Sequence, residues 1–194
     1  MGSPRTIAIL ALQGDFAEHG QSLRALGART FEIRQASDLS RPFDGLVIPG
    51  GESTVMGKLL RELNLFEPLR RKLAEEGLPV MATCAGLILL AQRIADDPTK
   101  HFATLDVTVR RNAYGRQLGS FFTQGSFGPL ENVPMSFIRA PSIVEAGPEV
   151  QVLSTFHGQP TAVRQGHQLA MAFHPELLTD TRIHQYFLEE VCHE

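Results

Sequence analysis

The stretch Pro79-Val80-Met81-Ala82-Thr83-Cys84-Ala85-Gly86-Leu87 runs from a buried strand through a single turn residue into an apolar helix. A residue at such a corner is held on a tight backbone and presented at the carboxyl edge of a sheet, where a nucleophile belongs. The corner requires small neighbours two positions either side, and Ala82 and Gly86 meet that requirement. The following helix aims its positive end and free backbone N–H groups at the corner, which favours a thiolate and an oxyanion alike. A free cysteine is equally at home as a small buried side chain. The segment alone therefore leaves Cys84 evenly balanced between nucleophile and core residue.

Working outward from the corner, the preceding chain alternates strand and helix. Ile7 to Leu12 is a continuous apolar run, as expected of a parallel strand covered on both faces. Asp15 to Leu26 has helical spacing, with Phe16, Leu23 and Leu26 inward and Gly27 as the stop. Thr30 to Arg34 and Gly45 to Ile48 read as the second and third strands, and Leu78 to Ala82 as the fourth. Thr54 to Leu63, Pro68 to Glu75 and a short segment including Leu87 to Ala91 read as helices. This rhythm predicts an α/β fold, a three-layer, doubly wound, mostly parallel sheet. After about residue 100 come short β-prone pieces at 106–110, 119–127, 135–139, 149–157, 161–164 and 168–173, separated by Gly, Pro and Asn. They are expected to add antiparallel strands to the same sheet. A closing helix is expected over Asp180 to Val191, capped by Asp180 or Thr179. Residues 1–194 read as one domain, with residues 1–5 a disordered or vector-derived end.

Composition narrows the class. Hydrophobic residues make up 43% of the 194, enough for a sizeable core, and the net charge is −3. No broad basic field is present to attract nucleic acid or an anionic membrane. No apolar run approaches the ~20 residues that span a bilayer. Two cysteines, Cys84 and Cys192, do not make a secreted disulfide scaffold, so a soluble cytoplasmic protein is expected. The histidines show no metal-ligand spacing, and neither a metal nor a cofactor is expected.

Two further segments carry chemistry. Phe173-His174-Pro175-Glu176 follows the apolar run Leu169-Ala170-Met171-Ala172. In extended chain, residues two apart project to the same side, so Glu176 can orient and charge-stabilise the His174 imidazole. Pro49-Gly50-Gly51-Glu52-Ser53-Thr54 places paired glycines after a strand, where backbone can approach a ligand or turn its amides toward an oxyanion. Alone, that segment reads as a turn with Ser53 or Thr54 capping the next helix. It is not a phosphate-binding P-loop, because no Gly-Lys-Ser/Thr follows. Gly125-Ser126-Phe127-Gly128 likewise lacks the dinucleotide pattern and a following helix.

In this order, with a Gly-Gly loop, a cysteine corner and then His-Pro-Glu, the chain resembles the class I (triad) glutamine amidotransferases. Six segments narrow the resemblance: 12–19 (Leu-Gln-Gly-Asp-Phe-Ala-Glu-His), 50–54, 84–88, 111–117 (Arg-Asn-Ala-Tyr-Gly-Arg-Gln), Phe137-Ile138-Arg139-Ala140-Pro141 and His174-Pro175-Glu176-Leu177. Together they look like the glutaminase subunit of pyridoxal 5′-phosphate synthase, from about Thr6 to Phe187. The resemblance implies that Cys84 attacks the side-chain amide of L-glutamine, that His174 is base and then acid, and that Glu176 orients it. It places glutamine binding on Gly51, Glu52, Ser53, Arg111, Ile138 and Arg139. An arginine suits the carboxylate of the amino acid. The oxyanion donors are expected from Ala85 and the Gly50-Gly51 loop. The loop at Gln13 and Gly14 is implied to meet the synthase partner and switch the glutaminase on. The partner, in a large hetero-oligomer, would combine the ammonia with ribose 5-phosphate and glyceraldehyde 3-phosphate.

Two alternatives are weighed against this. A glutaminase serving another biosynthetic synthase fits the corner equally, but not the 137–141 segment or the Gln13-Gly14 loop. A non-catalytic partner protein built on a related cysteine elbow commonly carries His directly after the Cys, where this chain has Ala85.

Overall fold

The computed structural model describes residues 3–113 and 119–193. Strand β1 (Thr6–Leu10) leads through helix α1 (Phe16–Ala25) to β2 (Arg29–Ile33), and a 3₁₀ turn at Ala36–Ser40 returns the chain to β3 (Gly45–Ile48). Helices α2 (Ser53–Glu62) and α3 (Phe66–Ala74) precede β4 (Val80–Thr83), which runs through Cys84 into α4 (Ala85–Leu90). The rest is mostly strand: β5 (Ala91–Ile94), β6 (Leu105–Arg110), β7 (Ser120–Phe127), β8 (Leu130–Ile138), β9 (Ser142–Ala146), β10 (Gln151–Phe156), β11 (Gln159–Gln165) and β12 (Gln168–Met171). Helix α5 (Arg182–Tyr186) and a π-helical turn (Phe187–Val191) close the chain.

The central sheet has seven strands in the order β10-β11-β12-β4-β3-β1-β2. From β12 to β2 every neighbouring pair is parallel, while β10, β11 and β12 pair antiparallel. Every residue of β3 and β4 is buried, which explains their unbroken apolar sequences: a parallel strand covered on both faces has no wet side to alternate toward. The winding reverses beside β1, since β2 lies on one side and β3, β4 and β12 extend on the other. In open parallel sheets the ligand crevice lies at the carboxyl ends beside such a reversal. Gln13, Gly50, Cys84 and His174 all follow the carboxyl ends of these adjacent strands.

The first half matches its sequence reading to within a few residues, with β1 ending at Leu10 rather than Leu12. The second half departs from it. Only β10, β11 and β12 join the central sheet; β5-β6-β9 form a separate three-stranded sheet and β7-β8 a hairpin. Two strands were not expected. Ala91–Ile94 continues an apolar helical run, and only pairing with β6 ends the helix there. Ser142–Ala146 is a short piece after Pro141, paired with β6. The closing helix is also shorter than Asp180 to Val191, because the backbone loosens into the π turn after Tyr186. Its cap residue is Thr181, although the Asp180 carboxylate accepts the Arg182 N–H at 2.9 Å.

The hairpin positions part of the site. Phe137 of β8 packs its ring 5.4 Å from that of Phe173, and Phe127 of β7 lies edge-on to the same ring at 6.5 Å. The next residue's N–H, on His174, donates to the Ser136 carbonyl at 2.8 Å. The chain after β12 is thus clamped by aromatic packing and a backbone bond just where the histidine leaves the sheet.

Candidate active site

Cys84 has φ 51° and ψ −107°, a left-handed conformation that costs a residue with a Cβ on the order of 1–3 kcal/mol. The surroundings enforce it. The Cys84 N–H donates to Met171 O at 2.9 Å, tying the corner to β12, and a Cβ on Gly86 would run into the Ile48 carbonyl and lie 3.2 Å from the Ala82 Cβ. Ala82 and Gly86 are therefore small because the corner presses against its neighbours. The sulfur lies 3.9 Å from Ile138 O.

His174 is buried, with Nδ1 2.6 Å from Glu176 Oε1, which leaves Nε2 as the ring nitrogen for Cys84. Burial by itself would lower the imidazole pKa. Hydrogen bonds with Cys84 and Glu176, and the electrostatics of the same two groups, outweigh burial and push it up to about 10. Burial likewise raises the Glu176 carboxyl, and the hydrogen bond and charge of His174 only partly counter it. His174 thus stands between Cys84 and Glu176, an arrangement that can serve a nucleophile with a carboxylate-oriented base.

The site opens into a cleft of ≈ 430 Å³ bordered by Cys84, Ala85 and His174. Of the residues expected to bind glutamine, Gly51, Glu52, Ser53, Arg111, Ile138 and Arg139 all border it. Glu52, rather than Ser53 or Thr54, caps α2: its carboxylate accepts the N–H groups of Thr54 at 3.1 Å and Val55 at 2.8 Å. Burial would raise the Glu52 carboxyl, but these backbone donors hold it below the usual carboxylate range. Arg111 reaches Asp97 at 3.2 Å and Thr54 Oγ1 at 3.4 Å, so its guanidinium already has a carboxylate partner. Arg139 is exposed, and its side chain makes no ion pair among the described residues. The segment from Tyr114 to Gln117, part of the Arg111 motif, lies outside the described residues.

Gly50 packs against His174 and Cys84: a Cβ there would lie 2.7 Å from His174 Cε1 and 3.5 Å from the Cys84 Cβ. Gly51 has φ 141°, a conformation open to glycine. The Gln13-Gly14 loop interlocks with this pair. Gln13 Oε1 accepts the Glu52 N–H at 2.9 Å, and a Cβ on Gly14, at φ 79°, would occupy the Gly50 carbonyl.

The sequence reading missed Asp15, whose Oδ2 stands 4.0 Å from His174 Nδ1 and which borders the cleft. Its place directly after β1 at the carboxyl edge was the available signal. Asp15, His174 and Glu176 bring three donor atoms within 4.8 Å of one another. Within the set, His174 Nδ1 already engages Glu176 at 2.6 Å. Also unforeseen was a buried pair behind Glu176, His19 and His184. A hollow at the opposite, amino-terminal edge of the sheet, around Pro4, Arg5 and His193, is bordered by no cysteine and no triad residue.

The sequence profile of the SNO glutamine amidotransferase family matches residues 9–193. The chain belongs to that family. The pyridoxal 5′-phosphate synthase subunit PdxT of Desulfitobacterium hafniense (strain DSM 10664 / DCB-2) is 54% identical over 185 residues, 95% of this chain and 92% of the relative. PdxT of Methanocorpusculum labreanum is 54% identical over 186 residues, covering 96% and 97%. A crystal structure of a glutamine amidotransferase superposes with a TM-score of 0.89 at 42% identity, over 94% of this chain and 97% of that one. A Thermotoga maritima glutamine amidotransferase at 16% identity and TM-score 0.65 shares the fold, over 97% and 84%. The amidotransferase therefore has the α/β, mostly parallel architecture of class I.

Proposed function

We propose that this amidotransferase is the glutaminase subunit of a pyridoxal 5′-phosphate synthase, and that Cys84, His174 and Glu176 are its catalytic triad. The observation that carries the triad is the geometry around His174: the strained Cys84 borders the same cleft, and Glu176 Oε1 lies 2.6 Å from the ring. The PdxT relatives carry the pathway.

His174 takes the thiol proton, and the sulfur adds to the side-chain amide carbon of L-glutamine. The oxygen that becomes negative is met by the Ala85 N–H and a backbone N–H of the Gly50-Gly51 loop. His174 returns its proton to the nitrogen, the C–N bond breaks, ammonia leaves, and a γ-glutamyl thioester remains. Water, deprotonated by His174, then adds to the thioester carbon; the C–S bond breaks and glutamate departs. Arg139, with Arg111 beside its Asp97 partner, receives the glutamine carboxylate, while Gly51, Glu52, Ser53 and Ile138 border the amino-acid end. No metal or cofactor enters this scheme.

The ammonia passes to a synthase subunit, within a cytoplasmic hetero-oligomer, for condensation with ribose 5-phosphate and glyceraldehyde 3-phosphate. The interlock of Gln13 and Gly14 with Gly50 and Glu52 supports a switching role: a partner pressing on one loop moves the other. Glutamate release and pyridoxal phosphate formation, assayed with and without the synthase subunit, test the reading. Both activities should require Cys84, and glutamate release should rise when the partner is added. Full glutaminase activity in Cys84→Ala would overturn the triad; equal rates with and without partner would overturn the switching.

A further inference from the structure

Behind the triad, four groups from distant parts of the chain meet in the dry interior: Glu176, His19 of α1, Thr83 of β4 and His184 of α5. Both histidines are fully buried. Glu176 uses Oε1 on His174, while its Oε2 is buried without a well-formed hydrogen bond. The group facing Oε2 is His19 Nε2, at 3.4 Å. The same nitrogen lies 3.3 Å from Thr83 Oγ1, and His19 Nδ1 lies 2.9 Å from His184 Nε2.

We propose that His19 is a positioning residue for the triad, donating its Nε2–H to the second carboxylate oxygen of Glu176, with His184 fixing the tautomer that makes this possible. The inference rests on the triad reading above. A carboxylate oxygen accepts and cannot donate, so His19 Nε2 must carry the proton. In a neutral ring Nδ1 is then an acceptor, and His184 Nε2 must be the donor to it. His184 Nδ1 is left as a buried lone pair with no partner. The arrangement ends on an acceptor, and no buried N–H is orphaned.

Neutrality is part of the design. Burial first, then the charges of His184 and His174, hold His19 well below the usual histidine range. A charged His19 would draw the Glu176 charge away from His174. A neutral donor fixes the carboxylate's rotation and leaves its charge directed at the catalytic imidazole, as partners behind metal-bound histidines do.

The test is steady-state glutamate release in the presence of the synthase subunit, with His19→Leu, His19→Asn and His19→Gln made alone and in a Glu176→Gln background. Gln places an amide nitrogen near the position of imidazole Nε2, whereas Asn mimics Nδ1. His19→Leu and His19→Asn should each lower kcat on the order of 10–100-fold and leave KM for glutamine nearly unchanged. His19→Gln should recover most of the rate. In the Glu176→Gln background the His19→Leu change should nearly vanish, because the two act as one unit. Alkylation of Cys84 by 6-diazo-5-oxo-norleucine, followed by mass spectrometry, reads the same cycle where turnover is slow. Equal losses in both backgrounds, or a wild-type rate in His19→Leu, would overturn the proposal. Cys84→Ala serves as control: if it is inactive while the His19 losses are additive, only the positioning role fails, and if it is active the triad reading itself fails.

Discussion

Cys84, the proposed nucleophile, also carries backbone strain. At φ 51° it occupies a conformation that only glycine adopts freely, held there by β4, β12 and the close approach of Ile48. Replacing it separates chemistry from strain. Cys84→Ala and Cys84→Gly should both abolish glutamate release, but Cys84→Gly should be more stable than Cys84→Ala by ~1 kcal/mol and unfold at a higher temperature, relief of strain exceeding the added chain entropy. Equal midpoints in thermal denaturation would mean that the strain at the corner is no larger than the added chain entropy of glycine. Cys192 offers the internal comparison. Burial pushes its thiol up to about 12, so a glutamine-like alkylator should mark Cys84 and leave Cys192 untouched in a peptide map.

At the scale of elements, the site is two loops and two strand ends brought into register by the parallel sheet. The loop after β1 and the loop after β3 are neighbours because β1 and β3 pair directly, and the contact between Gly14 and Gly50 is their hinge. Gly14→Ala would add a Cβ where the Gly50 carbonyl lies, at a φ of 79° that alanine resists. The Gly50-Gly51 loop must shift in response. The expected result is a kcat lower by ~10²–10³, the cost of a lost oxyanion donor, with a smaller change in KM for glutamine. Unchanged kcat in Gly14→Ala would remove the Gly50-Gly51 loop from the oxyanion site. Helix α1 adds a second consequence of the same geometry. Asp15 and His19, one helical turn apart, present one group to the cleft and one to the buried back of Glu176, so a single helix touches both sides of the triad.

For the whole molecule, four buried histidines make stability depend on pH in opposite directions. His184 falls to about 4 through burial, and burial lowers His19 and His101 in the same sense. Each is neutral when folded but takes a proton near pH 6.5 when unfolded. The unfolded chain therefore binds more protons between those limits, and stability falls as pH drops from about 6.5 toward 4, by ~3 kcal/mol for His184 alone. His174, pushed up to about 10, acts the other way: its contribution is complete below about 6.5 and is lost as pH rises through about 10. Unfolding midpoints measured across pH should peak near neutrality, and His184→Phe should lose less between pH 7 and 5 than the parent chain. A parent profile flat from pH 7 to 5 would show that these histidines are not held neutral.

What could be read from residues alone was whatever has a local signature. The βαβα rhythm, the corner at Cys84 and the two-residue spacing of His174 and Glu176 are properties of short segments, because strand burial and side-chain alternation act over a few residues. The tertiary structure decided everything that depends on which segments meet. Ala91 leaves a helix for a strand because β6 lies beside it, and β7-β8 stand apart from the central sheet because their phenylalanines pack on Phe173 rather than extend a ladder. Asp97 claims Arg111 across a gap in sequence, and Glu52 takes the capping role expected of Ser53 or Thr54. His19 and His184 look like two ordinary helical histidines in the sequence; only the docking of α1 and α5 behind β4 places them against Glu176. Local pattern singles out the proposed nucleophile and its base, but the partners of a buried charge are chosen by packing, which brings together residues as far apart as 19, 83, 176 and 184.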